Sequence, residues 1–242
     1  LHQNIESKDL QGLGYGTSDA KDFTLSFWVK SNKTGTYCIV VRKFDNTTYH
    51  LVHEFSISSA NTWEKKIITI TPTAGSTSLI TASAGAFDNN TGAGFQIGWI
   101  LVMGSSLNGG TNNTWTSTTS HYATTNQVNW MDSTDNNFYL AQVQLEIGSV
   151  ATPFEKRSFG EELTLCQRYY EDIDSNMYPN EHSGATIANY FWKVSKRTQP
   201  TVSAGTNAGS LTLNASNTSG GWVYSSSGAF NPVQNLRGDA DF

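Results

Sequence analysis

The segment "HLVHE", His50 to Glu54, places two histidines beside a glutamate, a combination that could hold a metal ion. Its spacing argues otherwise. The segment reads as a β-strand, in which residues three apart point to opposite faces. A helical zinc-protease site needs histidines four apart with the glutamate directly after the first. Satisfied or surface histidines are therefore the expectation for His50 and His53.

The loop "DSTDNN", Asp132 to Asn137, offers oxygen ligands and could hold a structural Ca²⁺. It lacks the sixth-position glycine and the closing glutamate of an EF-hand loop, so a polar turn is expected and no cofactor. Glu6, Glu54, Glu146 and Glu155 could supply the two carboxylates of a glycosidase, but nothing in the linear sequence pairs them. No G-x-S-x-G elbow, phosphate-binding glycine loop or paired-cysteine motif is present. "RGD" at 237–239 is read as chance. The expectation is a protein that is not an enzyme.

The aromatics raise a different chemistry. Trp115, Tyr122 and Trp130 lie in or beside "SSLNGGTNNTWTSTTSHYATTNQ", a long polar stretch with no amphipathic pattern that demands a ring. Rings among Asn, Thr and Gln side chains resemble a sugar platform, because sugars present apolar C–H faces beside hydroxyls. The competing reading is that these rings pin the loop to the domain. Trp28, Trp63 and Trp99 lie in or at the start of strands and are expected to pack.

The elements around these residues are mostly strands. The 242-residue chain has only 14% charged residues and 12% aromatics, against roughly 25% charged in ordinary soluble domains. Polar turns between strands suit that composition. In "FTLSFWVK", Phe23, Leu25, Phe27 and Val29 share one face. "GTYCIVVRK", "TYHLVHEFSI", "KKIITIT" and "GFQIGWILVMG" follow as strands, the last covered on both faces. In "NFYLAQVQLEIG", Tyr139, Ala141, Val143, Leu145 and Ile147 are expected to share a face. "NYFWKVSK", "SLTLN" and "GGWVYSS" are shorter candidates. The pattern predicts a mainly β fold: a jelly-roll β-sandwich over 1–157, a connecting amphipathic helix over 158–174, and a small C-terminal β subdomain over 175–242.

The helix has a defined start. Ser158 and Glu161 stand in the S-x-x-E capping-box arrangement, and Glu161 and Glu162 suit the positive end of the helix dipole. Leu163, Cys166, Tyr170 and Ile173 follow helical spacing and are expected to form one buried packing or oligomer stripe. Cys38 and Cys166 are expected to be free, buried thiols, since two distant cysteines make no disulfide framework.

The formal net charge of −5, without a Lys/Arg cluster, argues against a nucleic-acid partner. No apolar run is long enough to insert in a membrane as a helix. The start at Leu1, without a basic-then-apolar leader, suggests a piece of a longer chain.

Several segments together resemble bacteriophage tail-fibre and virion structural proteins of the kind common among marine phages. They are "LSFWVKSNKTGTYCIVV", "ANTWEKKIITI", the long run from "NQVNWMDSTDNNFYLAQVQLEIG" through "ATPFEKRSFGEELTLCQRYYE", and the terminal "DADF". The resemblance covers residues 1 to about 171 and weakens beyond, apart from "FWKVSKRTQPTV". It implies a carbohydrate-binding-module-like jelly roll near the C-terminus of a long virion protein, often a homotrimer, made in the bacterial cytoplasm and carried on the particle. The implied partners are its own copies, other virion proteins and a bacterial surface glycan. Members of this group usually carry Leu at the position of Trp130, which makes Trp130 a candidate for chain-specific ligand contact. The alternatives are a purely structural trimeric fibre, collar or capsid-decoration protein and, third, a glycan depolymerase. The depolymerase ranks last because the long β-helix that such an activity would need has no room at this length.

Overall fold

A computed structural model describes residues 1–173, 180–182, 185–203, 211–225 and 236–241. The chain divides into two compact units, Leu1–Glu155 and Lys156–Phe242. The protein is mainly β, with antiparallel sheets and, among the described residues, one α-helix.

The first unit holds β1 (His2–Glu6), β2 (Phe23–Ser31), β3 (Gly35–Lys43), β4 (Tyr49–Ile57), β5 (Glu64–Ile70), β6 (Ala93–Ile100), β7 (Thr114–Thr116) and β8 (Phe138–Ile147). A five-stranded sheet runs β1-β6-β3-β4-β7, and a three-stranded sheet runs β5-β2-β8. The alternation expected in β2 holds: Phe23, Leu25, Phe27 and Val29 are all fully buried. The Phe27 ring meets those of the larger sheet edge to face, 5.3 Å from Phe55 and 5.6 Å from Trp99. Burying each such side chain contributes roughly 1.5–3 kcal/mol, so this double layer is the main source of stability.

The larger sheet is covered on its other face as well. Cys38, Val40 and Val52 point away from the core and pack with Ala123, Ile100, Met103 and Tyr122. The cover is the long polar stretch, which is stitched down by backbone bonds such as Asn113 N–H to Val52 O (2.7 Å) and Val128 N–H to Thr36 O (2.9 Å). Gly110 lies so close to the sheet that a Cβ there would sit 3.0 Å from the Val52 side chain and 2.9 Å from the Ala123 carbonyl. Strand β6 is thus covered on both faces as expected, although it ends at Ile100.

Strand β8 departs from the expected alternation. Ser26 pairs with Gln144 and Trp28 with Ala141, so Phe27 alone faces two residues, Gln142 and Val143. This is a β-bulge, and it reverses the facing of the strand. Phe138 and Leu140 pack inward before it and Leu145 after it. Tyr139, Ala141, Val143, Leu145 and Ile147 therefore do not share a face.

The second unit contains α1 (Phe159–Gln167), β9 (Tyr170–Ile173), β10 (Asn180–His182), β11 (Ala185–Phe191), β12 (Thr201–Ser203), β13 (Leu211–Asn217), β14 (Gly220–Ser225) and β15 (Leu236–Asp239). Its sheets run β10-β11-β14-β13 and β12-β15-β9. Tyr190, Trp192, Val223 and Leu236 form its core, with Ile173 and Val202 packed against them. A buried ion pair joins Lys196 to Glu171 at 2.8 Å, and the same ammonium reaches the carbonyl of Gln167 at the end of α1. "RGD" lies in β15, where Arg237 pairs with Asp172 of β9 at 3.1 Å.

The capping box forms as expected. Ser158 Oγ accepts from Glu161 N–H at 3.3 Å, and the Glu161 carboxylate accepts from Ser158 N–H at 2.9 Å. The expected stripe does not form. The helix stops at Gln167 because Tyr170–Ile173 extend to pair with β15, so Tyr170 and Ile173 belong to a strand. No residue of α1 is buried: Leu163 is 42% exposed, and Cys166 is an exposed thiol rather than a buried one. Cys38 is free and buried, and burial pushes its pKa up.

Candidate functional site

His50 and His53 extend from the same strand, β4, three residues apart, and both serve as structural groups. His50 is fully buried. Its Nε2 accepts from Arg42 Nε at 3.2 Å, and its ring meets Tyr122 edge-on at 5.4 Å. Burial, reinforced by the Arg42 guanidinium, pushes the His50 pKa down to about 4, so the ring is neutral near pH 7. Burial likewise lowers the pKa of His53, whose Nδ1 lies 2.8 Å from the Glu54 carbonyl oxygen.

The carboxylates act as separate anchors. Glu6 is buried and paired with Lys8 at 3.3 Å. Glu54 accepts from Thr124 Oγ1 and from Asn126 Nδ2 (3.0 Å), which ties the covering loop to β4. Glu146 accepts from the N–H of Thr152 at 3.0 Å, and its pKa is lowered chiefly by the hydroxyl of the same residue. Glu155 donates its backbone N–H to Gln144 at 2.8 Å. In "DSTDNN" the Asp132 carboxylate is taken by the Lys33 ammonium and by Asn136 Nδ2 (2.8 Å), with the Lys33 bond the main cause of its lowered pKa. Among the described residues, no three metal-ligating side chains come together.

The three rings offered as a candidate sugar platform do not make one; they follow the competing reading and pin the loop to the domain. Trp115 sits on β7, which pairs with β4, and only 1% of its surface is exposed. It lies edge-on to Tyr15 at 6.4 Å, and its Nε1 donates to the Thr71 carbonyl at 3.0 Å. Trp130 packs against the core and donates to the Asn137 carbonyl at 3.1 Å. Tyr122 packs on the outer face of the five-stranded sheet, with Arg42 5.4 Å from its ring. The polar residues around these rings satisfy backbone groups, while the rings face inward and hold the loop down.

An open aromatic surface lies elsewhere, on the outward face of β5-β2-β8. Since Phe27 and Val29 point inward, Trp28 and Lys30 must point outward. The pairing sets Trp28 between Lys65 and Ala141, and sets Lys30 beside Tyr139. Trp63, just before β5, is 41% exposed and Tyr139 is 49% exposed. Their ring centroids are 6.4 Å apart at 57°, and the Lys30 ammonium lies 5.3 Å from the first and 4.7 Å from the second. Trp28, Trp63, Ala141 and Gln142 line a cleft of about 330 Å³.

The same sheet face is closed at its other end. The segment 148–155 folds back along β8, where Thr24 Oγ1 donates to the Gly148 carbonyl at 2.7 Å and Gln144 Nε2 donates to Thr152 Oγ1 at 3.2 Å. Thr24 and Ser26 are consequently buried, whereas the Trp28 and Lys30 end stays open.

Gln142, the bulge residue, has φ of +49°. The other non-glycine residues in the left-handed region among those described are Asn46, Asn61, Ser76 and Asn113, all outside long strands. Gln is a poor choice for that conformation, and such strain persists where surrounding structure imposes it. Here it sets an exposed amide, both donor and acceptor, at the edge of an aromatic cleft. The arrangement offers flat apolar faces, a cation and an amide to a shallow-binding ligand.

Trp28 and Trp63, expected only to pack, instead line this open cleft, and Lys30 and Gln142 carried no expectation of a site. The signal that could have found Trp28 and Lys30 was the parity of "FTLSFWVK". Compared with protein-family models, with curated proteins and with solved structures, the chain gives no match.

Proposed function

We propose that this chain is a non-enzymatic bacteriophage virion component, of the tail-fibre kind, that attaches to a bacterial surface glycan through the cleft of Trp28 and Trp63 and the neighbouring Tyr139 ring. The observation that carries the reading is the open aromatic pair beside an exposed amide on an outward sheet face. Sugar rings stack their C–H faces on such surfaces while amides and ammonium groups engage hydroxyls. Each contact is shallow and weak; several copies on one particle raise the avidity by orders of magnitude without new contacts. The resemblance in "QLEIG" and "ATPFEKRSFGEELTLCQRYYE" supports the virion assignment, with a jelly roll as the winding of the sandwich. Binding to a glycan array, measured for the wild type and for Trp63→Ala, tests the site: affinity should drop at least about tenfold. Undiminished binding by Trp63→Ala would remove the cleft from the proposal.

A second reading, a structural trimeric module, is favoured by the exposed apolar side of α1. Phe159 is 82% exposed and Leu163 42% exposed, and with Cys166 they follow the spacing of one helix face. Light scattering should then show a trimer that Leu163→Asp converts to monomers. A monomeric wild type would sink this reading.

A further inference from the structure

Resting on the cleft as a saccharide site, we infer that its ligand is an acidic saccharide bearing a uronic-acid-type carboxylate, selected by Lys30. The inference comes from the charges on this sheet. Lys33 is bound to Asp132, and Lys66 is paired with Glu64 at 2.6 Å. Glu64, the carboxylate nearest in sequence to Trp63, is further occupied by the N–H groups of Ser58 and Ser59, both at 2.8 Å. Lys30 has no carboxylate partner among the described residues; its ammonium is held between the Trp63 and Tyr139 rings. Lys65, paired in register with Trp28, adds a second cation to the same outward face. The carboxylate whose electrostatic interaction with Lys65 is evident is Glu146, which is already bound by Thr152 toward the closed end of the sheet. A molecule with a formal net charge of −5 thus presents two lysines and the Trp28, Trp63 and Tyr139 rings on one outward sheet face.

The geometry suits a uronate better than a neutral sugar. The carboxylate of a pyranuronate projects from the edge of the ring, roughly in its plane. Its apolar face can therefore lie on one aromatic ring while its carboxylate reaches an ammonium held over the neighbouring rings. A charge-assisted bond of this kind is stronger than a hydroxyl contact, and it is partly shielded here by the flanking rings. A neutral hexose would stack equally well but leave the ammonium without a new partner.

The test is calorimetric titration of the full chain with uronic-acid oligomers (galacturonate, mannuronate, guluronate and glucuronate-containing tetramers) and with neutral cello- and malto-tetraose. At least one acidic oligomer should bind roughly tenfold or more tighter than the neutral ones, with affinity falling as salt is raised. Lys30→Gln should erase the difference, Lys30→Arg should retain most of it, and Trp63→Ala should weaken binding of every sugar. Equal affinity for acidic and neutral oligomers, or acid selectivity untouched by Lys30→Gln, overturns the inference and leaves the cleft standing. Absence of binding across the panel, or binding indifferent to Trp63→Ala, overturns the cleft reading and this inference with it.

Discussion

Two aromatic-bearing regions of the first unit behave in opposite ways. The loop over the five-stranded sheet holds Trp115 and Tyr122 amid Thr, Ser and Asn, yet its rings turn inward. The outward face of β5-β2-β8 holds Trp28 and Tyr139 amid strand residues, yet Trp28 lines the open cleft and Tyr139 lies half exposed beside Trp63. The difference follows from how each segment is tied down. A long loop has no continuous ladder of its own and needs anchors, and a buried ring is the strongest available. A strand already secured by two neighbours can spare its outward positions.

That contrast can be broken most directly at Trp115. Trp115→Ala removes a fully packed ring and leaves the Thr71 carbonyl without its donor. It should cost about 3–5 kcal/mol of stability, seen as a large fall in denaturation midpoint. A loss below about 1 kcal/mol would mean that the loop is anchored by its backbone bonds alone.

The next effect is that of pH on the loop's contact with His50. An exposed histidine takes up its proton near 6.5, whereas His50 is held down to about 4. Between those values the unfolded chain binds more protons, so this contribution is complete above about pH 6.5 and is lost as pH falls toward 4. The loss is on the order of 3 kcal/mol. Urea titrations of the wild type against His50→Gln should show it, and hydrogen exchange should rise first in residues 101–128. Equal pH slopes in the two proteins would remove His50 as the cause.

The smallest effect sharpens the other side. Trp63→Ala should leave stability within about 0.5 kcal/mol of wild type, because the ring is exposed and makes no hydrogen bond to the core. A fall as large as that at Trp115 would show that the cleft is a structural surface.

The sequence made much of the sandwich legible because periodicity reports burial. Phe23, Leu25, Phe27 and Val29 follow the period of two without interruption. The N-terminus of α1 was equally clear, since a capping box is a local pattern with a local cause. The expected stripe failed because Tyr170 and Ile173 answer to β15, more than sixty residues away. The face of β8 failed for a similar reason: a bulge depends on its partner strand, and Gln142 carries none of the usual marks of a left-handed residue. The role of Trp115 was left between two readings because the polarity of its neighbours describes their own hydrogen bonds and not the direction of the ring. The cleft draws on three separate segments, so no single window of sequence contains it.

The bulge at Gln142 also divides the inheritance of a single strand. Before it, Tyr139 and Ala141 look outward; after it, Leu145 is fixed by the core against Leu25. Replacements at the outward positions can accumulate without disturbing the register that Leu145 maintains. Exchanging a few residues beside Gln142 therefore alters the chemistry of the outward face, while the body that carries them stays the same.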